Sequence, residues 1–72
     1  DYKTLLQEYV QRDGDKHIVY HLLSESGPDH AKTFHMEVEI NGVTYEAGSG
    51  KSKKIAEQHA AQLTLEKLMA DK

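Results

Sequence analysis

The dipeptide Asn41-Gly42 is the feature that most constrains the fold, because it is a preferred sequence for a two-residue turn between antiparallel strands. Apolar residues alternate with polar ones from Phe34 to Ile40, which predicts a strand with one buried and one solvated face. A two-residue turn pairs Ile40 with Val43 and directs both side chains to the buried face. We therefore predict a β-hairpin, whose second strand continues to the glycines at 48 and 50.

Two helices and one further strand are predicted around this hairpin. The first helix ends at Asp13-Gly14, and a strand follows from His17 to about Ser26. A longer helix runs from about Ser52 to Met69. The apolar stripe of the first helix comprises Tyr2, Leu5, Leu6 and Tyr9, and the inward residues of the last helix are Ala56, Ala60, Ala61, Leu65 and Leu68. The predicted fold class is α+β, in the order α-β-β-β-α, with a three-stranded antiparallel sheet and two helices packed on one of its faces.

Chain length and composition restrict the possible classes of protein. Seventy-two residues suffice for one domain, which we assign to residues 1–72. The absence of cysteine excludes disulfides and thiolate metal sites, and we find neither a long apolar span nor a signal peptide. We therefore expect a soluble cytoplasmic protein that does not associate with membranes. The formal net charge of −3 argues against nucleic-acid binding unless the basic residues are clustered.

Such a cluster stands at the start of the last helix, where Lys51, Lys53 and Lys54 occupy three of four consecutive positions. Lysines are unfavourable there, because a helix N-terminus already carries partial positive charge and unpaired N–H groups. An anion would compensate both, and phosphate fits. The alternative is a solvated lysine cluster beside a Ser52 cap. The neighbouring string from Gly48 to Ser52 is not a P-loop, because Tyr45 replaces the first glycine of that pattern.

The first helix has a second stripe, which is polar and barely charged. Its side chains can donate and accept hydrogen bonds, as contact with 2′-hydroxyls and base edges in an RNA minor groove requires. Mere solvation of an outer helix face is the alternative. The stripe comprises Thr4, Gln7, Glu8 and Gln11.

Catalytic and metal sites are not predicted. The acids Glu37, Glu39 and Glu46 are expected on the solvated sheet face, where they would repel phosphate. His21 and His35 share that face, but two histidines are too few for a metal site, and no nucleophile–base pair is apparent. We therefore expect no catalytic residue, no metal ligand and no cofactor.

Two sequence motifs stand out beside the predicted element order. They are Gly-Pro-Asp-His at positions 27–30, between strands one and two, and Gly-Ser-Gly-Lys-Ser-Lys-Lys-Ile-Ala at 48–56, followed by Ala60-Ala61. With these motifs the chain resembles the double-stranded-RNA-binding domain. Asp-Tyr-Lys-Thr at 1–4, Leu-Gln-Glu at 6–8 and Glu57 are most similar to the copy at the C-terminus of bacterial ribonuclease III. Thr64 departs from the alanine usual in the family, which questions the packing of the last helix at that position.

The resemblance implies a three-part footprint on A-form RNA, about 16 base pairs long and largely independent of base sequence. The implied minor-groove residues are Thr4, Gln7, Glu8 and Gln11 at one site, and Pro28 and His30 at the next. The implied phosphate-binding residues are Lys51, Ser52, Lys53 and Lys54. The implied partner is double-stranded RNA, and the domain alone is expected to be monomeric. Whether the parent protein is a homodimeric ribonuclease III, with its nuclease domain upstream, is left open. The alternative is a protein-interaction module of the same fold that uses Val19 and Leu23 and does not bind RNA.

Overall fold

The computed structural model describes residues 1–71 and confirms the α+β fold with two helices. The elements are α1 (Tyr2–Val10), β1 (Ile18–Ser26), β2 (Thr33–Ile40), β3 (Val43–Gly50) and α2 (Lys53–Ala70). Short 3-10 turns follow α1 at Gln11–Asp13 and precede β2 at Asp29–Ala31. The antiparallel sheet has the order β1-β2-β3. In the described part of the chain, neither helix has the length and apolar character needed to cross a bilayer.

The hairpin turn has the geometry that its sequence predicts. Asn41 and Gly42 both adopt positive φ, at 50° and 81°, as the two-residue turn favoured by Asn-Gly requires. The Asn41 side chain also accepts a hydrogen bond of 2.7 Å from the His17 backbone N–H, which ties the turn to the start of β1. Ile40 pairs with Val43 as predicted, but only Ile40 is buried. The prediction for Val43 was wrong, because this strand end is incompletely covered and leaves the residue 54% exposed.

The core lies between the helices and the inner face of the sheet. Its fully or nearly fully buried apolar residues are Leu6, Met36, Val38, Ile40, Ala56, Ala60 and Ala61. Leu65 and Leu68 pack against this core from the second half of α2, as the sequence predicts. Phe34, which the alternation of β2 also placed on the buried face, is only partly buried at the start of that strand.

Close approach of α2 to β3 depends on glycine at the contact. A Cβ atom added to Gly48 would lie 2.2 Å from the backbone nitrogen of Ala60, and one added to Gly50 would lie 2.4 Å from Cγ2 of Ile55. Since neither the helix backbone nor the sheet has room to retreat within a packed interior, glycine is required at position 48. The buried alanines of α2 complete this contact from the helix side.

A β-bulge explains the unusual threonine in α2. Glu37 pairs with Ala47 whereas Glu39 pairs with Thr44, so β3 contains one extra residue at Tyr45 and Glu46. The backbone N–H of Glu46 donates a 3.1 Å hydrogen bond to Oγ1 of Thr64, a residue with no exposed surface. Thr64 therefore packs without disruption and provides an acceptor for an amide next to the bulge.

A second side chain of α2 accepts from β3 in the same way. The backbone N–H of Ser49 donates a 3.0 Å hydrogen bond to Nδ1 of His59. This contact requires the imidazole to be unprotonated at Nδ1. Two side chains on successive parts of α2 thus occupy amide groups of the edge strand β3.

We expect Thr64→Val to lower the free energy of unfolding by about 1–3 kcal/mol, because the partly buried Glu46 amide loses its acceptor. Thr64→Ser keeps the hydroxyl and should lose only the contribution of a methyl group, about 0.8 kcal/mol. Denaturant unfolding measures both values. Hydrogen exchange at the Glu46 amide distinguishes the loss of the hydrogen bond from the loss of the methyl group. Exchange should accelerate in Thr64→Val and stay slow in Thr64→Ser, and unchanged protection in Thr64→Val would contradict the role given to the hydroxyl.

Candidate nucleic-acid interface

The start of α2 presents the three lysines that the sequence singled out. Lys51, Lys53 and Lys54 are exposed, and within residues 1–71 none of their ammonium groups forms a salt bridge. Ser52 is the N-cap of α2, and its Oγ accepts a 3.1 Å hydrogen bond from the Ile55 backbone N–H. Because the hydroxyl accepts in this contact, its own proton remains able to donate to an anion. Capping and phosphate binding are therefore compatible at Ser52.

Glu57, Glu37 and Glu39 are directed away from the lysines, whereas the exposed Asp29 borders the same cleft as Lys51. Glu57, the acid nearest to them on α2, forms an ion pair with Lys3 of α1 at 2.6 Å. Glu37 and Glu39 lie on the sheet face opposite the helices, where Glu39 Oε1 lies 2.9 Å from Nε2 of His21. For Glu46 the simple alternation fails, because the bulge places it together with Tyr45 opposite Val38. This segregation leaves a positive surface at the start of α2 despite the net charge of −3.

The loop between β1 and β2 is ordered by its own backbone. Gly27 adopts a φ of 88°, and the backbone N–H of Ala31 donates a 2.9 Å hydrogen bond to the Pro28 carbonyl, which closes the 3-10 turn. Pro28 and His30 are both exposed on this turn. The ammonium group of Lys32 lies 3.1 Å from a Glu25 carboxylate oxygen and holds the loop to the end of β1.

This loop and the lysine cluster border the same cleft, of about 350 Å³. Its lining includes His30, Lys32 and Phe34 on one side and Lys51 on the other. The register explains this proximity, since Phe34 at the start of β2 pairs with Gly50 at the end of β3. The structure therefore places one member of each of two predicted RNA-binding groups, His30 and Lys51, on the same cleft.

The third group lies on α1, and its members differ in availability. Thr4, Gln7 and Glu8 are exposed. Gln11 falls in the 3-10 turn after α1, where its Nε2 donates to the Lys16 carbonyl at 2.9 Å and its Oε1 accepts from the Lys16 backbone N–H at 2.7 Å. Gln11 therefore fastens the segment between α1 and β1, and only part of its amide remains available to a ligand.

Lys3 is a residue of this surface that the sequence gave no reason to select. Its Nζ contacts Glu57 and lies 4.7 Å from the centre of the Tyr20 ring. Burial, with a smaller contribution from the charge of Glu57, raises the pKa of Tyr20 to about 12, so its hydroxyl stays protonated at neutral pH. Because Lys3 and Glu57 are 54 residues apart, no local pattern could have revealed the pair.

The histidines of the outer sheet face have separate protein partners. His21 contacts Glu39, whereas Nε2 of His35 lies 3.2 Å from Oγ of Ser26. In the described residues 1–71, no three His, Cys, Asp or Glu side chains are grouped closely enough to hold a metal ion.

Comparison with known proteins gives a consistent result. A family model described as double-stranded RNA binding motif matches residues 2–68. The chain is 57% identical over 68 residues to Ribonuclease 3 of Streptococcus mutans serotype c, an alignment that covers 94% of the chain and 29% of that relative. It is 52% identical over 67 residues to Ribonuclease 3 of Streptococcus gordonii, which covers 93% of the chain and again 29% of the relative. The chain thus spans about three tenths of the length of these curated relatives.

Proposed function

Because this chain belongs to the double-stranded RNA binding motif family, we propose that it binds double-stranded RNA through the shape and backbone of the A-form helix rather than through base sequence. The observation that carries the proposal is the cleft that the His30 loop shares with Lys51, the first residue of the lysine cluster that precedes α2. A loop that enters a minor groove would then lie directly beside lysines that reach phosphates across the intervening major groove.

The phosphate contacts come from Lys51, Lys53 and Lys54, with the Ser52 hydroxyl as a further donor. Positively charged side chains and the unpaired N–H groups of a helix N-terminus act together on an anion. No acid occupies the first turn of α2, and the acid that shares the cleft with Lys51 is Asp29 of the loop. These contacts provide affinity but do not distinguish RNA from DNA, which carries the same phosphate.

The discrimination between RNA and DNA is assigned to the minor-groove residues. Thr4, Gln7, Glu8 and Gln11 form one proposed group, and Pro28 and His30 form the other. The Glu8 side chain can accept a hydrogen bond from a 2′-hydroxyl, a donor that RNA has and DNA lacks. Gln7 can both donate to and accept from the same groove.

The decisive experiment is a titration of the chain with RNA and DNA duplexes of equal length and sequence at two salt concentrations. RNA should bind more tightly at both, and the affinity for either duplex should fall as salt rises. Equal affinity for the two duplexes would refute recognition of A-form shape. Absence of binding to both would instead favour the protein-interaction alternative, for which Leu23 is exposed but Val19 is partly buried.

The two glutamines of the α1 group should respond differently to substitution. Gln7→Ala should lower the affinity for RNA about two- to twelvefold, the equivalent of one neutral hydrogen bond, and leave stability unchanged. Gln11→Ala should instead lower the free energy of unfolding by about 1–3 kcal/mol, because the half-buried Lys16 backbone loses both of its partners. Binding assays and denaturant unfolding on the same two variants measure these effects. A Gln11→Ala variant of normal stability and weak RNA binding would show that its main role lies in the groove.

We infer that the chain is the RNA-binding part of a ribonuclease III, which cleaves double-stranded RNA with a domain outside the present sequence. The support is the identity of 52–57% to proteins named Ribonuclease 3, of which the chain matches only a part. The chain alone should then bind RNA duplexes without cleaving them, whereas the whole protein should cleave them in the cytoplasm. Cleavage by the isolated chain would overturn this division of roles. The monomeric state of the domain and a dimeric parent stay predictions that analytical ultracentrifugation can test.

A further inference from the structure

The apolar attachment of α1 to the rest of the fold is concentrated in its middle and at its C-terminal end. The helix packs chiefly on α2, and Leu6 is its one buried residue among those described. Leu6 in the middle of this nine-residue helix and the partly buried Val10 at its end pack against the core, so the direction of the outer face at the first turn depends on further contacts. That direction matters because Thr4, Gln7 and Glu8 stand on the outer face.

A second attachment lies at the start of the helix. The Lys3 ammonium group contacts Glu57 of α2 at 2.6 Å, with side-chain exposures of 37% and 22%, and lies over the face of Tyr20 of β1. It therefore bridges three elements. A partly shielded pair with an aromatic face on one side is less screened by solvent than an ordinary surface pair.

The backbone next to Lys3 is bound to the same part of α2. The Tyr2 N–H donates to Oε1 of Gln58 at 2.8 Å, and Nε2 of Gln58 donates to Oδ1 of Asp1 at 2.7 Å. The same Asp1 oxygen caps α1 by accepting from the backbone N–H of Lys3 at 2.9 Å. Together with the Lys3 side chain, these contacts tie the first turn of α1 to α2.

We propose that Lys3 and Glu57 are positioning residues for RNA recognition, whose ion pair orients the groove-facing stripe of α1 relative to the lysines at the start of α2. The inference rests on the proposed function. A ligand recognised by shape must meet both groups at once, so a rotated α1 would lose its minor-groove contacts while the lysines still held phosphate. Binding to RNA would suffer more than binding to DNA.

Direct phosphate binding by Lys3 is the competing explanation. The two explanations predict opposite effects of Glu57→Gln on RNA affinity. Lys3→Met removes a positive charge and Glu57→Gln removes a negative one, yet both break the pair. If the pair orients α1, each variant should lower RNA affinity about five- to tenfold relative to DNA affinity. If Lys3 binds phosphate, Lys3→Met should weaken and Glu57→Gln should strengthen the binding of RNA and DNA alike.

The variant that decides is the exchange Lys3→Glu with Glu57→Lys, which keeps the pair and the net charge. It gives up the contact of the ammonium group with the Tyr20 ring, so it should recover part of the preference for RNA over DNA. A preference no better than that of the worse single variant would overturn the proposal. Lys67→Met is the matched control, since it breaks the Lys67–Asp71 pair at the far end of α2 and should leave the preference unchanged. Should a single variant unfold, the exchange variant still gives the answer. If the unsubstituted chain shows no preference for RNA over DNA, the proposed function itself is refuted. If every variant keeps the normal preference, only the positioning role is refuted.

Discussion

Leu6→Ala should lower the free energy of unfolding by about 2–5 kcal/mol, which is the range for truncating a fully buried leucine. Leu6 has no exposed surface and packs with Val38, Ile40 and Ala61, so alanine leaves a cavity between α1, α2 and the sheet. Since native domains are stable by only about 5–15 kcal/mol, the loss threatens the fold of so short a chain. Denaturant unfolding with a fixed slope gives the value directly.

The neighbouring residue provides the control. Leu5→Ala makes the same chemical change on the same helix, but Leu5 is 47% exposed and the cost should stay below about 1 kcal/mol. Equal losses for the two variants would mean that α1 is rotated from the orientation described, and that its outer stripe does not face outward.

Replacement of Lys51, Lys53 and Lys54 together by alanine should weaken RNA binding about a hundredfold or more, since each lysine contributes a charge-assisted contact to phosphate. The slope of log affinity against log salt should fall by about three, one unit for each lysine. Stability should not fall, because the lysines oppose the positive end of the α2 dipole and alanine favours helix. Circular dichroism and titrations at several salt concentrations provide these measurements.

Two controls make the lysine result specific. The triple arginine variant keeps the charges and should keep the salt slope, whereas Lys67→Ala removes a distant charge near the other end of α2 and should change little. A triple alanine variant that is folded and retains the original slope would show that the phosphate contacts lie elsewhere on the chain.

The parts of the fold that follow from local chemistry were predictable from the sequence. The Asn41-Gly42 turn fixed the pairing of Ile40 with Val43, and the Ser52 cap lies one residue before the start of α2. The match to the family model confirmed the family resemblance, and the observed element order confirmed the α+β fold. The lysines could be selected because their placement at a helix start is unfavourable without an anion, a conflict visible within four residues.

The rest depends on contacts between distant residues. Periodicity treats Leu5 and Leu6 as equal members of one stripe, but only the position of α2 decides which of them is buried. The same limitation applies to Lys3 and Glu57, and to Gln11, whose amide is bound by a backbone segment that has no regular pattern. The bulges at Leu23 and at Tyr45 and Glu46 interrupt the alternation of the strands. Strict alternation, on which the outer-face prediction for Glu46 rested, therefore does not hold at that residue.

The hydrogen bonds from β3 to α2 have a consequence for the behaviour of the protein at high concentration. An edge strand with free amide groups can recruit a strand from another molecule and begin aggregation. In this chain the Glu46 and Ser49 amides are occupied by Thr64 and His59, so α2 shields the edge that it packs along. Any change that detaches α2 therefore frees these two amides as a template for intermolecular sheets.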